Sequence, residues 1–266
     1  MLNKNQRLDN LENELEQQKT SIDLMKYMLI NQYLDSNKNF CPICGNISEF
    51  RSFGNPERKN VRCNYCESVE RHRLVWLFFQ QRFESQFKNK KTTLLHFAPE
   101  LSFYDYFRTH ENIDYYPVDF NPKIFESRNI HIRKKVDMQD IPFPDDKFDV
   151  IYACHILEHI PDDIKAMSEL YRVLKNGGSC IILVPLKRSL KETLEKKEYN
   201  TPELRKKYYG QEDHLRYYSM DIQDRLESVG FKVQALTGKH IVKSDIERKF
   251  YRVLEKTTIF LCKKEL

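Results

Sequence analysis

The stretch that most constrains this chain runs from position 135 to position 160. Within it, Phe148–Cys154 is a short, largely apolar run, the pattern of a parallel strand covered on both faces. Two prolines and the Asp145–Asp146 pair stand just before that run and indicate a turn. Polar residues follow where the strand would end, namely His155, Glu158 and His159. Because open α/β sheets bind ligands at the carboxyl ends of their strands, this segment predicts a binding site.

The order of acid, turn, buried strand and histidine also carries a family resemblance. The string D-M-Q-D-I-P-F-P-D-D-K-F-D-V-I-Y-A-C-H-I-L-E-H-I resembles the central motif of class I S-adenosylmethionine-dependent methyltransferases. It is similar to the type 11-like subgroup that includes ubiquinone-type and sugar-modifying enzymes. The resemblance implies a Rossmann-like α/β fold, with a mostly parallel seven-stranded sheet from about Lys91 onward and a final antiparallel pair. An ordinary crossover with a proline-rich loop is the alternative, but it would not require this order of residues.

Length and composition set broad limits on the protein. A chain of 266 residues can hold one good-sized core and a small appendage. A net charge of +5 permits an acidic partner without requiring one, and the scattered basic clusters favour a solvated surface. Seven cysteines without a signal peptide argue against a secreted disulfide framework. No apolar run reaches the ~18 residues of a membrane helix, so we expect a cytoplasmic protein without a membrane span.

The N-terminal region, residues 1–36, predicts a helix with a narrow apolar seam. Two roles remain open for it: a coiled coil that forms a homodimer, or a helix that lies against its own domain. The seam is formed by Leu8, Leu11, Leu15, Ile22, Met25 and Leu29, with Gln18 at one inward position.

Residues 37–70 contain two C-x-x-C pairs, the signature of a tetrahedral structural zinc site. Four thiolates would close the coordination shell, so this zinc ribbon leaves no open position for catalysis. Redox pairs or plain core cysteines would not explain the paired spacing. The role of the ribbon stays open between RNA binding, substrate binding and bracing of the main domain. The predicted ligands are Cys41, Cys44, Cys63 and Cys66.

The methyltransferase domain is expected over residues 71–266 and begins with a basic helix start. Arg71 and His72 oppose the helix dipole there, which costs up to about 1 kcal/mol per charge. A substrate contact or a solvated basic turn would both account for this cluster. A zinc ribbon followed by S-V-E-R-H-R-L resembles one methyltransferase subfamily, which favours the substrate contact.

The first strand and its loop, 92–100, end in H-F-A-P-E. Methyltransferases of this class usually have a glycine-rich turn here, and Ala98 and Glu100 stand at its two glycine positions. H-F-A-P-E itself resembles the zinc-ribbon subfamily, which implies a variant loop. His96, Ala98 and Glu100 are therefore expected to bind the cofactor, with Glu100 near its ammonium group. Because the usual glycines are absent, two alternatives stay open: the cofactor is held differently, or no cofactor binds.

Four further cofactor contacts are expected from later strands. Asp119 lies nineteen residues past Glu100 at a predicted strand end, where a carboxylate can accept both ribose hydroxyls. The resemblance implies that Asp137 contacts the adenine amino group and that Met138 packs on the ring, although Met138 also suits plain core packing. His155 is expected near the reactive sulfonium.

The segment Q-E-D-H-L-R-Y-Y, residues 211–218, is similar to the D-H-x-R-x-Y segment of the same subfamily. His214, Arg216 and Tyr217 are therefore expected to contact the methyl acceptor. If the acceptor is a hydroxyl, His214 or His155 would act as the general base. A polar loop at the start of a helix is the alternative for this segment.

These features together predict methyl transfer from S-adenosylmethionine to a small molecule or glycan, at an oxygen atom. Two other functions remain open. One is RNA methylation, in which the ribbon and its neighbouring basic residues would bind phosphates. The other is a non-catalytic zinc-ribbon interaction protein with a vestigial cofactor pocket.

Overall fold

The computed structural model describes residues 4–265, with side chains from Leu11 onward. Two compact units divide the chain. The first extends to Leu77 and also contains Gly238–Thr257, and the second contains Phe78–Thr237 and the residues from Thr258 onward. These units are discontinuous along the chain and do not test the domain boundaries expected at residues 36 and 70, which stay predictions.

The helices are α1 (Lys4–Asp35), α2 (Glu70–Arg82), α3 (Glu84–Asn89), α4 (Leu101–Thr109), α5 (Asp163–Val173), α6 (Pro202–Tyr209), α7 (Ile222–Ser228), α8 (Gly238–Ile241) and α9 (Asp245–Tyr251). The strands are β1 (Asn39–Phe40), β2 (Ile47–Ser48), β3 (Arg51–Phe53), β4 (Arg58–Arg62), β5 (Thr92–Phe97), β6 (Ile113–Asp119), β7 (Lys134–Lys135), β8 (Phe148–Cys154), β9 (Leu174–Leu183), β10 (Lys232–Thr237) and β11 (Thr258–Lys263). None of the helices between residues 4 and 265 combines the length and hydropathy needed to cross a bilayer.

The first unit combines the long helix α1 with two small antiparallel strand pairs, β1–β2 and β3–β4. The C-terminal part of α1 packs on this unit, where Ile30 is buried and the Tyr33 ring stacks on Phe250 of α9. The predicted seam is exposed from Leu11 to Leu29, while Leu8 lies outside the residues whose side chains are described. The homodimer expected through this helix stays a prediction.

The second unit is an α/β domain around a seven-stranded sheet, in the order β10-β11-β9-β8-β5-β6-β7. The strands from β9 to β7 run parallel, and β10 and β11 pair antiparallel at the other side. The fold class and the final antiparallel pair expected from sequence are confirmed. The central strands β5 and β8 are each buried at every position but one, because both of their faces are covered.

One polar residue in the apolar run of β8 fixes its pairing with β5. The Asp149 carboxylate accepts hydrogen bonds from the Thr93 backbone N–H at 2.9 Å and from the Thr93 hydroxyl at 2.7 Å. Lys175 of β9 adds an ion pair at 2.8 Å. These contacts satisfy a half-buried carboxylate at the end of the sheet opposite to the predicted binding site.

Candidate cofactor and acceptor site

The carboxyl ends of three neighbouring parallel strands meet at one edge of the sheet. The strands β8, β5 and β6 lie side by side, and each leads directly into a residue singled out from the sequence. Ala98 follows β5, Asp119 ends β6 and His155 follows β8. The sheet therefore brings together residues that are far apart in the chain.

Two of these strand ends share an unusual backbone conformation. Ala98 has φ = +47° and His155 has φ = +57°, both in the left-handed region. This conformation costs a residue with a Cβ about 1–2 kcal/mol, and it concentrates at functional sites. Hydrogen bonds hold both turns, from Ala98 N–H to Val118 O and from His155 N–H to Leu183 O. The loop H-F-A-P-E thus keeps a turn suited to glycine although it has no glycine.

Glu100 is held in a fixed orientation beside this turn. His96 Nε2 lies 3.0 Å from Glu100 Oε2, and the Tyr152 hydroxyl donates to Glu100 Oε1 at 3.2 Å. His96 is fully buried, and its Nδ1 lies 2.8 Å from the Tyr115 hydroxyl. A carboxylate can only accept, so Nε2 carries the proton that faces Glu100, and Nδ1 accepts from the Tyr115 hydroxyl. Burial raises the pKa of Tyr115, which keeps this donor protonated. His96 therefore lies behind Glu100 and orients its carboxylate.

Two further carboxylates lie near these strand ends. Asp119 is the last residue of β6, and Asp137 lies two residues after β7. The Asp119 Oδ1 accepts a hydrogen bond from the Asn121 N–H at 2.6 Å, and burial raises the pKa of Asp119. Asp137 Oδ1 accepts from the Gln139 N–H at 2.9 Å. Met138 is 2% exposed and is part of the main hydrophobic core. The cofactor contacts expected of Asp119, Asp137 and Met138 stay predictions.

A carboxylate and several histidines lie close together at the turn after β8. His155 Nδ1 lies 3.3 Å from Glu158 Oε1, and the rings of His159 and His214 are 4.8 Å apart in an edge-to-face arrangement. A hydrogen bond from the Leu215 N–H to Glu158 O joins the two chain segments. The structure thus brings His155 and His214, the two expected general bases, to the same carboxylate.

Arg216 is buried and surrounded by protein acceptors. Its Nε and Nη2 donate to the two oxygens of Glu195 at 3.0 and 2.8 Å. Its Nη1 donates to Leu157 O at 2.9 Å, and Nη2 donates to Pro161 O at 2.9 Å. The guanidinium therefore fixes the turn that carries Glu158 and His159, an arrangement that favours a positioning role. The expected contact of Arg216 with an acceptor stays a prediction.

The other residues expected to contact the methyl acceptor, Tyr217, Arg71 and His72, lie in different parts of the structure. Tyr217 exchanges two backbone hydrogen bonds with Leu194, and so ties the charged segment before α6 to this part of the unit. Arg71 and His72 belong to the first unit, where His72 Nδ1 accepts from the Val69 N–H at 3.4 Å. Their expected substrate contacts stay predictions.

The four cysteines of the ribbon form a compact cluster in the first unit. All four sulfur atoms lie within 4.8 Å of one another, with Cys41 and Cys66 at 3.5 Å and Cys44 and Cys63 at 3.7 Å. A tetrahedral Zn–S₄ centre with bonds of ~2.3 Å has S···S edges of about 3.8 Å. The spacing therefore fits a metal of that kind.

A buried cation supports this cysteine cluster. The Arg73 side chain is fully buried, donates to Ser68 O at 2.7 Å and lies over the Phe50 ring. Burial lowers the pKa of Arg73 to about 10, so it remains protonated at neutral pH. The Ser68 hydroxyl lies 3.3 Å from Cys41 Sγ. Arg73 and Ser68 would thus offset the negative charge of four thiolates.

Several contributors to the site escaped the sequence reasoning. Tyr115 and Tyr152 lie within strands. In the sequence they could not be told apart from the apolar residues around them. Glu195 lies in a charged segment without a motif. A phenol inside a fully buried strand needs a hydrogen-bond partner, and this signal points to the Tyr115–His96 pair.

The fold and the strand-end residues together define a class I methyltransferase-type domain. Residues 102–182 match the family model described as a methyltransferase domain. The expectation of a class I methyltransferase domain is confirmed by this match, which covers the central part of the chain.

Relatives match over short stretches. Sterol 4-C-methyltransferase strm-1 of Caenorhabditis elegans is 39% identical over 80 residues, 29% of this chain and 24% of that protein. The ubiquinone/menaquinone biosynthesis C-methyltransferase UbiE of Vibrio campbellii is 40% identical over 55 residues, 21% of each chain. The chain thus spans a quarter or less of these two relatives.

Among solved structures, the 4+2 cyclase SpnF has a TM-score of 0.52 at 14% identity, covering 91% of this chain and 95% of that chain. At this identity the likeness shows the fold alone.

We expect Ala98→Gly to raise the free energy of unfolding by up to about 1 kcal/mol, because the relief of left-handed strain exceeds the entropy cost of glycine. Chemical denaturation measures the change. Ala153→Gly is the matched control, since Ala153 lies buried in extended β8 and its loss should be destabilising. Equal losses in both variants would contradict the strain argument.

Arg216→Ala should lower the free energy of unfolding by about 3 kcal/mol, because buried carbonyls and Glu195 lose a shared cation. Arg216→Lys keeps the charge without the planar fork and should recover only part of the loss. Lys197→Ala, at an exposed position nearby, should change stability by less than ~0.5 kcal/mol. An Arg216→Ala protein as stable as this control would instead favour an acceptor contact.

Proposed function

We propose that this chain transfers a methyl group from S-adenosylmethionine to an oxygen atom of a small molecule or glycan. The observation that carries the proposal is the set of carboxylates at adjacent strand ends, beside a glycine-like turn. Glu100, Asp119 and Asp137 supply acceptors for the polar groups of such a cofactor. In this assignment Glu100 binds the ammonium group, Asp119 the ribose hydroxyls and Asp137 the adenine amino group.

The sulfonium supplies an already activated methyl group, so the protein contributes mainly in-line positioning of donor and acceptor. The acceptor would bind beyond β8, where His155 is 32% exposed. His155 or His214 takes the hydroxyl proton. Burial lowers the pKa of His214, so its imidazole is neutral and able to accept a proton at neutral pH.

We also propose that the cysteine cluster binds one structural zinc ion through Cys41, Cys44, Cys63 and Cys66. The S···S distances and the buried Arg73 support this assignment. Four thiolates complete a tetrahedral shell, so this metal would stabilise the first unit and take no part in methyl transfer.

A thermal melt with S-adenosylmethionine and S-adenosylhomocysteine tests the proposed activity. At ~100 times the dissociation constant, either ligand should stabilise the protein by about 2.7 kcal/mol, or roughly 5–10 °C. Asp119→Ala should abolish the shift, whereas Asp114→Ala, on the same strand but exposed, should retain it. No shift with either ligand in the unmodified chain would contradict the proposal and favour a non-catalytic protein.

Metal analysis tests the ribbon. Purified full-length chain should contain at least one zinc per chain, and Cys44→Ser should contain one fewer. Strong chelation should lower the melting temperature, because structural zinc contributes directly to folding. A folded chain that carries no zinc, or a Cys44→Ser variant with unchanged zinc content, would contradict the assignment.

A further inference from the structure

A buried carboxylate without hydrogen-bond partners lies next to the acceptor side of the site. Glu158 is 1% exposed, and among the described residues neither of its oxygens accepts a hydrogen bond. His155 Nδ1 lies 3.3 Å from Oε1. A buried carboxylate is costly unless it is paired or coordinates a metal. A metal ion at Glu158 would provide that kind of pairing for a carboxylate that otherwise has only the His155 contact.

Two histidines complete a set of potential metal ligands around Glu158. One carboxylate oxygen of Glu158 and one ring nitrogen each from His159 and His214 lie within 4.8 Å of one another. A metal with bonds of ~2.0–2.2 Å would draw such atoms to separations of about 3 to 3.5 Å. Small side-chain movements would thus bring the three atoms to coordination distance.

Both histidines also have the outer contacts that metal-binding imidazoles use. His214 Nδ1 lies 3.0 Å from Tyr209 O, and His159 Nδ1 lies 3.3 Å from Asp213 Oδ2. Metal-ligating histidines commonly donate one ring N–H to a backbone carbonyl or a carboxylate, which fixes the tautomer. In both residues Nε2 is then left with its lone pair available for a metal.

The backbone around the three residues is held by buried polar contacts. Arg216 Nη1 donates to Leu157 O, directly before Glu158, and Arg216 Nη2 donates to Pro161 O. The Leu215 N–H donates to Glu158 O at 2.8 Å, and this bond links the segment of His214 to that of His159. Such support is what a preorganised ligand set requires.

We propose that Glu158, His159 and His214 bind a divalent transition-metal ion. Two imidazoles and one carboxylate suit zinc and related first-row metals. Three protein ligands leave coordination positions open. If the proposed methyl transfer is correct, an acceptor hydroxyl bound at such a position would lose its proton more readily. His155 would then be the base, since the Nε2 lone pair of His214 binds the metal. The metal site itself does not rest on that activity.

Metal binding by the full-length chain tests the site directly. Protein treated with a mild chelator is dialysed against Zn²⁺, and the metal bound per chain is measured. The unmodified chain should bind two ions, one at the ribbon and one here. Glu158→Gln and His159→Ala should each bind one fewer, or bind the second ion at least tenfold more weakly. His131→Ala removes an exposed histidine elsewhere and should retain both.

Cobalt gives a second readout that separates the two sites. Co²⁺ at the cysteine cluster shows sulfur-to-metal charge-transfer absorption, whereas a site of nitrogen and oxygen ligands shows none. The second equivalent of Co²⁺ should therefore add weak bands alone, and these should be absent in Glu158→Gln. Circular dichroism and melting confirm that the variants fold, and His159→Gln replaces any variant that does not.

Binding of a single ion, confined to the cysteines, would overturn the site. So would a second ion that persists undiminished in Glu158→Gln and His159→Ala. Because the measurement uses no S-adenosylmethionine and no acceptor, its failure would leave the proposed methyl transfer standing. Failure of the thermal-shift test would likewise leave the metal site standing.

Discussion

The geometry of the turn after β8 depends on one buried cation, Arg216. Removing a guanidinium from water costs several kcal/mol, and only well-placed acceptors offset that cost. Here both oxygens of Glu195 and the backbone carbonyls of the turn after β8 supply them. Because the planar fork can satisfy all of these acceptors in one arrangement, it fixes the turn relative to the segment that carries His214. The positions of Glu158 and His159 follow from that constraint.

The cofactor side depends on the parallel sheet. Neighbouring strands end at one edge, so Ala98, Asp119 and His155 become neighbours although 57 residues separate the first from the last. The left-handed turns at Ala98 and His155 redirect the chain there at a cost in backbone strain. The buried chain of Tyr115, His96 and Glu100 then fixes a carboxylate at that edge. Strain and buried polar contacts are thus concentrated where the domain is expected to bind its cofactor.

In the first unit, too, a buried arginine binds backbone carbonyls. The apolar cluster around the cysteines of this unit is small and is formed by Cys41, Phe50 and Cys63, with a few partly buried neighbours. Arg73 stabilises it instead by donating to backbone carbonyls from different parts of this unit, including Val61 and Tyr251. A metal at the cysteines would add the cross-links that so small a core lacks.

The sequence by itself determined the secondary structure of the domain and the location of its binding edge. Apolar runs such as Phe148–Cys154 predict buried strands because side-chain burial is a local, repeating pattern, and the paired cysteines predict their cluster by spacing alone. The tertiary structure decided what individual polar residues do. Arg216 looked like a substrate ligand, and only packing showed the acceptors around it. In the sequence Glu158 was one of several polar residues at a strand end. Only the fold placed it beside two histidines, with no hydrogen bond to its carboxylate from the described residues. A polar side chain's role depends on which distant groups surround it, and those neighbours are fixed by the fold rather than by adjacent sequence.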